Sequence, residues 1–259
     1  MAPDGVAGNG KVDGDAESDN DGPLPPIHAA PAPNRFQSAR TNFSTFASSR
    51  GGDRPALQRA VRDYVRSGTR GSGNAVRRMG SSRAAASNVL GVLRGMQRDG
   101  VQAALRSFNL TALIGRSTTE VFLGLTDLIC RDGGPIDEAI ARDAWLETVA
   151  ELDRFNIGDL DALTADQIRD VFAAFIAHSV ETMLFQEIGV NGLAIARDLD
   201  AIELFEAQFR SYIQRAVQDS FATDLRDLST MSDRDIHTVV DATYKDAWEL
   251  LVAWGDRAP

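Results

Sequence analysis

Apolar residues recur at helical spacing through most of the chain that follows residue 53. The first stripe predicts an amphipathic helix over about 53–67, with Asp53 as its N-cap. A second helical stretch covers roughly 74–98 and is predicted to break near Gly80. No stretch of the sequence alternates apolar and polar residues with the period of two that half-buried strands show. The pattern therefore predicts an all-α protein.

Several helix starts can be read from local pairs of polar residues. Ser117 with Glu120, and Thr164 with Gln167, have the spacing of capping boxes, and Ser232 is the expected cap of the last helix. Shorter and longer helices are predicted over about 101–108, 110–114, 117–129, 135–155, 164–186, 198–222 and 233–254.

The predicted helix over 135–155 carries most of its apolar residues on one side. The buried stripe is expected to consist of Ile136, Ile140, Ala144, Leu146, Val149 and Leu152. Such a stripe packs one face of a helix on a core, and the acidic residues between its members are then left in solvent.

The first 33 residues differ from the rest in composition. They are rich in Gly, Asp, Asn, Ala and Pro, and they contain almost no large apolar side chains. Ordering such a segment costs about 1–2 kcal/mol per residue, and little burial is available to offset that cost. We therefore predict a disordered N-terminal tail over 1–33 that ends in a proline-rich, semi-rigid spacer.

Charge is strongly segregated along a chain whose net charge is −10. Residues 1–34 carry six acidic groups and one basic group, and residues 35–131 carry sixteen arginines against five acids. Residues 132–259 carry twenty-six acidic and ten basic groups. The predicted organisation after the tail is an arginine-rich helical segment over 34–131 and an acidic helical bundle over 132–259, packed together as one domain.

Residue types that support catalysis or metal binding are sparse. Cys130 is the single cysteine, which excludes a disulfide framework, and we expect it to be a packed core residue. His178 and Glu181 could share one helix face, but a metal or general-base site needs further convergent groups, so a partly buried or capping-type histidine is favoured. His237 is expected at the surface. The sequence predicts no catalytic residue, no metal site and no cofactor, and thus a protein that is not an enzyme.

Arginines in 35–131 alternate with aromatic residues, among them Phe36, Phe43, Phe46 and Tyr64. Charge combined with stacking rings suits single-stranded nucleic acid, which makes a nucleic-acid-binding module the alternative function. Arginine also pairs well with carboxylates, so the same segment could clamp onto 132–259 or onto an acidic partner. The acidic net charge favours this second interpretation.

The sequence shows no basic-then-apolar signal pattern at its start and no uninterrupted apolar run of the length a spanning helix needs. We therefore expect a cytoplasmic protein that does not enter a membrane.

Five strings of the sequence resemble the QatB family, the accessory proteins of bacterial Qat anti-phage defence systems. They are NRFQSARTNFSTFA at 34–47, AVRDYVRSG at 60–68, RRMGSSR at 77–83, EVFL at 120–123 and GPIDEAIAR at 134–142. The resemblance covers about 34–222, and none of the strings is a catalytic motif.

The resemblance implies a role in antiviral defence beside an ATPase (QatA), a QueC-like enzyme (QatC) and a TatD-like nuclease (QatD). It further implies direct binding to QatC, and a flexible N-terminus that accepts a 7-deazaguanine group on a glycine amine. The residues that open the folded part are the expected partner-binding set: Arg35, Phe36, Arg40, Phe43 and Phe46.

The N-terminus departs from the family pattern at one point that affects the acceptor. Members often begin Met-Gly, whereas this chain begins Met-Ala-Pro-Asp and has its first glycine at position 5. The acceptor would then be Gly5, Gly8 or Gly10 after trimming. Otherwise the true start differs, or this member is not modified.

Overall fold

The structure is a computed structural model, and it describes residues 34–49, 52–130, 135–189, 210–215, 217 and 228–258. Every regular element in these ranges is a helix, which confirms the all-α prediction. Ten α-helices have both of their ends within these ranges. They are α1 Gln37–Ser48, α2 Arg54–Asp63, α3 Ser72–Arg78, α4 Gly80–Asp99, α5 Val101–Ser107, α6 Thr118–Gly124, α7 Thr126–Ile129, α8 Pro135–Ala150, α9 Ala165–Leu184 and α10 Asp233–Gly255.

Two of these helices continue as π-helical turns, and short 3₁₀ turns lie between others. The π-turns are Tyr64–Gly68 after α2 and Phe185–Gly189 after α9. The 3₁₀ turns are Thr111–Leu113, Leu152–Phe155, Leu160–Ala162 and Leu228–Thr230. Residues 210–215 and 217 are helical, and the rest of the helix predicted over 198–222 lies outside the described residues.

The predicted helix starts are confirmed by their hydrogen bonds. Asp53 Oδ1 accepts from the backbone N–H of Ala56 at 2.9 Å. Ser117, Thr164 and Ser232 each form a reciprocal capping box with the residue three positions later. The predicted break near residue 80 is also present, since α3 and α4 are separated at Met79.

Helix α1 was not predicted from the sequence, although it is regular and well packed. Its Ala39, Phe43, Phe46 and Ala47 are buried, at the i, i+4, i+7, i+8 spacing of one helix face. The helix lacks a side-chain N-cap, and hydroxyl and amide residues fill its other face, so the usual start signal is absent. Its stripe pairs mainly with α2, with which it forms a helical hairpin.

Helix α8 differs from its prediction in length and in one member of its stripe. It ends at Ala150, and the chain then turns through a 3₁₀ segment instead of continuing to residue 155. Leu146 was predicted to be buried but is 41% exposed, whereas Trp145 is 1% exposed and lies in the core. The wide indole therefore defines the buried side of this helix.

Helix α9 is the centre of the core. Its residues from Val171 to Glu181 are all buried, on every side of the helix. A helix buried all round is surrounded by other elements. The segment Ala165–Gly189 is long enough to span a membrane, and an 18-residue window of it has a mean hydropathy of 1.2, contrary to the expectation from the sequence. However, 78% of that window is buried inside the fold. Buried core helices of folded domains meet the same criterion.

One hydrophobic cluster extends from Phe36 to Leu251 and includes buried residues of both the arginine-rich and the acidic segments. The domain boundaries drawn at 34, 131 and 132 remain predictions. The tail predicted over 1–33 lies outside the described residues.

Candidate functional site

Helices α4 and α10 are joined by a row of polar contacts that we call the seam. Arg83 Nε donates to Asp241 Oδ1 at 2.7 Å, and Arg94 Nη2 to Asp233 Oδ1 at 2.5 Å. Between them Ser87 Oγ lies 3.0 Å from Nδ1 of His237. Because residue numbers rise on α4 as they fall on α10, the two helices are antiparallel.

Two more arginines of the basic segment reach the acidic half. Arg66 Nη2 donates to Asp256 at 2.6 Å, and Arg78 forms an ion pair with Glu187. Together with the two arginines of the seam, these contacts confirm that the basic segment clamps onto 132–259. These four arginines are therefore paired with carboxylates of the acidic segment within the fold.

The predicted partner-binding phenylalanines are core residues. Phe36, Phe43 and Phe46 are 8%, 3% and 2% exposed, so their rings lie inside the described fold, and the partner-binding role of these residues stays a prediction. The reason is packing, since the Phe36 ring stacks on that of Tyr64 with centroids 5.4 Å apart. Tyr64 in turn stacks on Trp248 at 5.4 Å.

Arg35 and Arg40 are the members of the predicted set whose side chains reach solvent. The Arg35 guanidinium lies 4.7 Å from the centroid of the Phe36 ring, within the range of a cation–π contact. Arg40 Nε donates to the carbonyl of Glu187 at 3.0 Å. Arg40 thus helps to hold the start of the described chain on its body, whereas Arg35 contacts the residue next to it in the chain.

The same burial affects the nucleic-acid alternative. A stacking platform needs exposed aromatic faces. Tyr64 is as buried as the three phenylalanines, at 0% exposure. The arginine-rich segment therefore does not present these four rings to bases.

A buried ionic cluster surrounds His178, which is 1% exposed. Its Nε2 lies 3.6 Å from Glu151 Oε1, and its Nδ1 lies 4.0 Å from Glu181 Oε2. Arg210 bridges the two acids, donating from Nε to Glu181 Oε2 at 2.7 Å and lying 3.7 Å from Glu151 through Nη1. Gln214 donates to Glu151 Oε2 at 3.1 Å.

This cluster ties the helical residues 210–215 to α9 and to the end of α8. The sequence indicated the pairing of His178 with Glu181 through their i, i+3 spacing. It gave no signal for Glu151 or Arg210, which the tertiary fold brings in from elsewhere. The carboxylates approach opposite nitrogens of the ring, and among the described residues no group of three His, Cys, Asp or Glu is placed to hold a metal.

A pocket of about 350 Å³ opens beside the seam. Its polar wall includes Ser87 and His237, and a serine–histidine pair invites comparison with a hydrolytic site. The comparison fails because Asp233, which could orient the imidazole, bonds to Arg94 instead. Ser87 also lies inside α4, where backbone N–H groups serve the helix and do not form an oxyanion hole.

Cys130 is confirmed as a packed core residue. It is 2% exposed, and burial raises the pKa of its thiol to about 12. A thiol held neutral at physiological pH is a poor nucleophile and a poor metal ligand.

The described residues thus define an all-helical protein whose arginine-rich and acidic segments are joined by several long-range polar contacts. A family model described as QatB, Qat anti-phage system associated protein QatB, matches residues 70–251. Because this match spans more than half of the sequence, the chain belongs to the QatB family. No curated protein and no solved structure matches the chain.

Membership in the family implies a role in Qat anti-phage defence and association with other components of that system. The matched range begins later than the resemblance noted in the sequence and extends further, so it includes the seam and most of α10.

Proposed function

We propose that this protein is a non-enzymatic component of the Qat defence complex that binds the QueC-like protein QatC directly. In this proposal its N-terminal segment is the substrate on which QatC places a 7-deazaguanine group. QatA and QatD are further candidate partners, and the work takes place in the cytoplasm. The family match carries the proposal, since it connects the chain to the Qat system.

The anchoring of Phe36 supports the substrate part. Its ring is fixed by Tyr64 on one side, and the absence of a side chain at Gly68 leaves room for the ring. Whatever precedes Asn34 is therefore attached to a fixed point of a packed body. Gly10 and Gly5 stand 24 and 29 residues before Asn34. A chain of that length spans at most about 80–100 Å, enough to bring a terminus into the pocket of a bound enzyme.

The chemistry of the described residues supports a binding role. Within the described ranges, Asp233 pairs with Arg94 and not with His237, Ser87 lies inside a helix whose N–H groups serve the helix, and the thiol of Cys130 is buried. His178 itself is buried, and the carboxylates beside it are paired with Arg210.

The test is mass spectrometry of the protein purified from cells that carry the whole operon. Trypsin cleaves after Lys11, so one peptide, 1–11, contains all three candidate acceptors. We expect a peptide that begins at Gly5, Gly8 or Gly10, ends at Lys11 and carries the mass of a 7-deazaguanine group. The adjacent peptide, 12–35, also contains glycines and serves as an internal control that should stay unmodified.

A matched culture without the QueC-like gene should yield only unmodified 1–11 peptide. Copurification of QatC is scored separately, so that binding and conjugation are judged on their own. An unmodified intact mass from the complete operon, with QatC shown to be expressed, would refute the conjugation part. Failure of QatC to copurify would refute the binding part.

A further inference from the structure

Two leucines are the large apolar side chains that stand exposed among the described residues. Leu123, in α6, is 47% exposed, and Leu146, in α8, is 41% exposed. Single surface leucines are ordinary, but an adjacent pair begins an apolar patch. Whether they form one patch depends on how α6 and α8 pack.

Contacts between the two segments fix their relative direction. Arg142 Nη2 donates to Asp127 at 2.8 Å, and the indole N–H of Trp145 donates to the carbonyl of Phe122 at 3.2 Å. Between these two contacts the residue numbers rise on α8 while they fall from α7 to α6, so α8 runs antiparallel to the α6–α7 segment. The Phe122 and Trp145 rings are also stacked, with centroids 5.5 Å apart.

Each exposed leucine directly follows one member of that stacked pair. Successive residues turn by about 100° around a helix. In an antiparallel pair, the residues that follow two facing residues turn toward the same side. Leu123 and Leu146 therefore lie on one side of the α6–α8 pair, and we call this surface the leucine face.

The border of the leucine face is acidic. Asp127 follows Leu123 by one turn and has a side chain that is 90% exposed. On α8, Asp143 precedes Leu146 by three residues and Glu147 follows it, and both are exposed. Arg142 is bonded to Asp127. On α6, Glu120 precedes Leu123 by three residues and pairs with Arg116 at 3.5 Å. Among the described residues, these four carboxylates against two guanidiniums give the border a net negative charge.

We infer that the leucine face is the docking surface for a partner protein that presents an apolar side chain bordered by lysine or arginine. The apolar centre supplies the buried contact, and the acidic border selects a basic surface and steers its approach. The inference rests on the proposed function, in which the occupant is the QueC-like partner. It moves the predicted contact away from the buried phenylalanines near the start of the described chain.

The test measures binding of the purified full chain to the purified QueC-like protein by titration calorimetry. Leu146→Asp and Leu123→Asp place a charge at the apolar centre, and each should raise Kd by about tenfold or more. Ala103→Asp adds the same charge to an exposed position on α5 and should leave Kd unchanged. Thermal melts should show that all three variants remain folded, because the three positions are exposed.

The border is tested by charge reversal. Asp143→Arg combined with Glu147→Arg should weaken binding, and the remaining affinity should depend less on salt than that of the wild type. Asp246→Arg, on the exposed side of α10, is the control and should change neither quantity.

The outcomes separate this inference from the function on which it rests. Wild-type binding that the leucine and border variants weaken selectively supports both. Wild-type binding that Leu123→Asp and Leu146→Asp leave intact overturns the leucine face and leaves the proposed function standing. No binding by the wild type overturns the proposed function and, with it, the occupant named here.

Discussion

The hydroxyl groups of Ser179 and Tyr244 lie 2.8 Å apart in the fully buried core and join α9 to α10. Ser179 Oγ also donates to the carbonyl of Ile176 at 2.9 Å. A serine has one hydroxyl proton, so the phenol of Tyr244 is the donor in the bond between the two side chains. Burial raises the pKa of that phenol, which keeps the proton in place.

This assignment predicts unequal costs for removing the two hydroxyls. Tyr244→Phe deletes the donor but leaves Ser179 bonded to Ile176, so the free energy of unfolding should fall by about 1 kcal/mol. Ser179→Ala leaves a buried phenol without an acceptor and should cost about 1–3 kcal/mol. Urea unfolding measures both, and the double variant should cost less than the sum of the two. A larger loss for Tyr244→Phe would contradict the assignment.

Glu151 should make stability depend on pH in the acid range. Burial alone would raise the pKa of Glu151, but contact with His178, Gln214 and Arg154 outweighs it and lowers the pKa to about 2. The folded pKa is below that of the unfolded chain, near 4.5. The stabilisation is therefore present above about pH 4.5 and is lost as the pH falls toward 2.

The Glu151→Gln variant should be less stable than the wild type at pH 7, and the difference should shrink below about pH 4.5 as the wild-type carboxylate is protonated. Urea unfolding across a pH series gives the measurement. Glu249→Gln is the control, because Glu249 is an exposed partner of Lys245 at 3.8 Å. A gap between wild type and Glu151→Gln that stays constant from pH 7 to 3 would rule out this account.

The N-cap of α10 should contribute measurably to stability. Ser232 Oγ accepts from the backbone N–H of Asp235 at 3.2 Å, and the Asp235 carboxylate accepts from the N–H of Ser232 at 2.9 Å. Ser232→Ala should lower the free energy of unfolding by about 1 kcal/mol. Thr238→Ala removes a hydroxyl from the exposed face of the same helix and should have little effect. Equal losses in the two variants would show that the cap is not the cause.

Caps of this kind were predictable from the sequence because both partners lie within four residues of each other. The helix stripes were predictable for a related reason, since burial follows a period that the chain itself displays. Helix α1 was not predicted because it has no side-chain cap. Its aromatic rings were instead assigned to a partner-binding surface. Only the stacking of Phe36 on Tyr64, 28 positions later, shows that they belong to the core.

The sites depended more on tertiary contacts. The neighbours of His178 come from three separate parts of the chain, and periodicity does not reveal which acid meets which base. Leu146 was predicted to be buried because leucine usually is. In the structure the neighbouring Trp145 occupies the buried position instead. The exposure of Leu146 became visible only once the position of Trp145 beside Phe122 was known.

Cys130 should be unreactive until the protein unfolds. Its thiol is buried, and burial raises its pKa to about 12, so almost no thiolate exists at pH 8. The reaction with a disulfide reagent such as DTNB should be slow in buffer and fast in denaturing urea, with one thiol titrated per chain. Free cysteine in the same buffers supplies the control rate. Rapid labelling of the native protein would contradict the burial of this residue.

Gly68 is the position where one added methyl group should disturb the anchoring of Phe36. A Cβ at Gly68 would overlap the Phe36 ring. Since that ring is packed against Tyr64, Gly68→Ala should cost about 1–3 kcal/mol of unfolding free energy. Gly91 in α4 is the matched control, because a Cβ there meets no atom within 4 Å. Gly91→Ala should be neutral or stabilising by about 0.5–1 kcal/mol, as expected for alanine within a helix.

Adding Phe36→Leu to Gly68→Ala should cost less than the two single losses combined, because the smaller side chain relieves the overlap. Additive losses would show that Gly68 and Phe36 are not in contact and would remove the fixed attachment point from which the N-terminal segment is proposed to be presented.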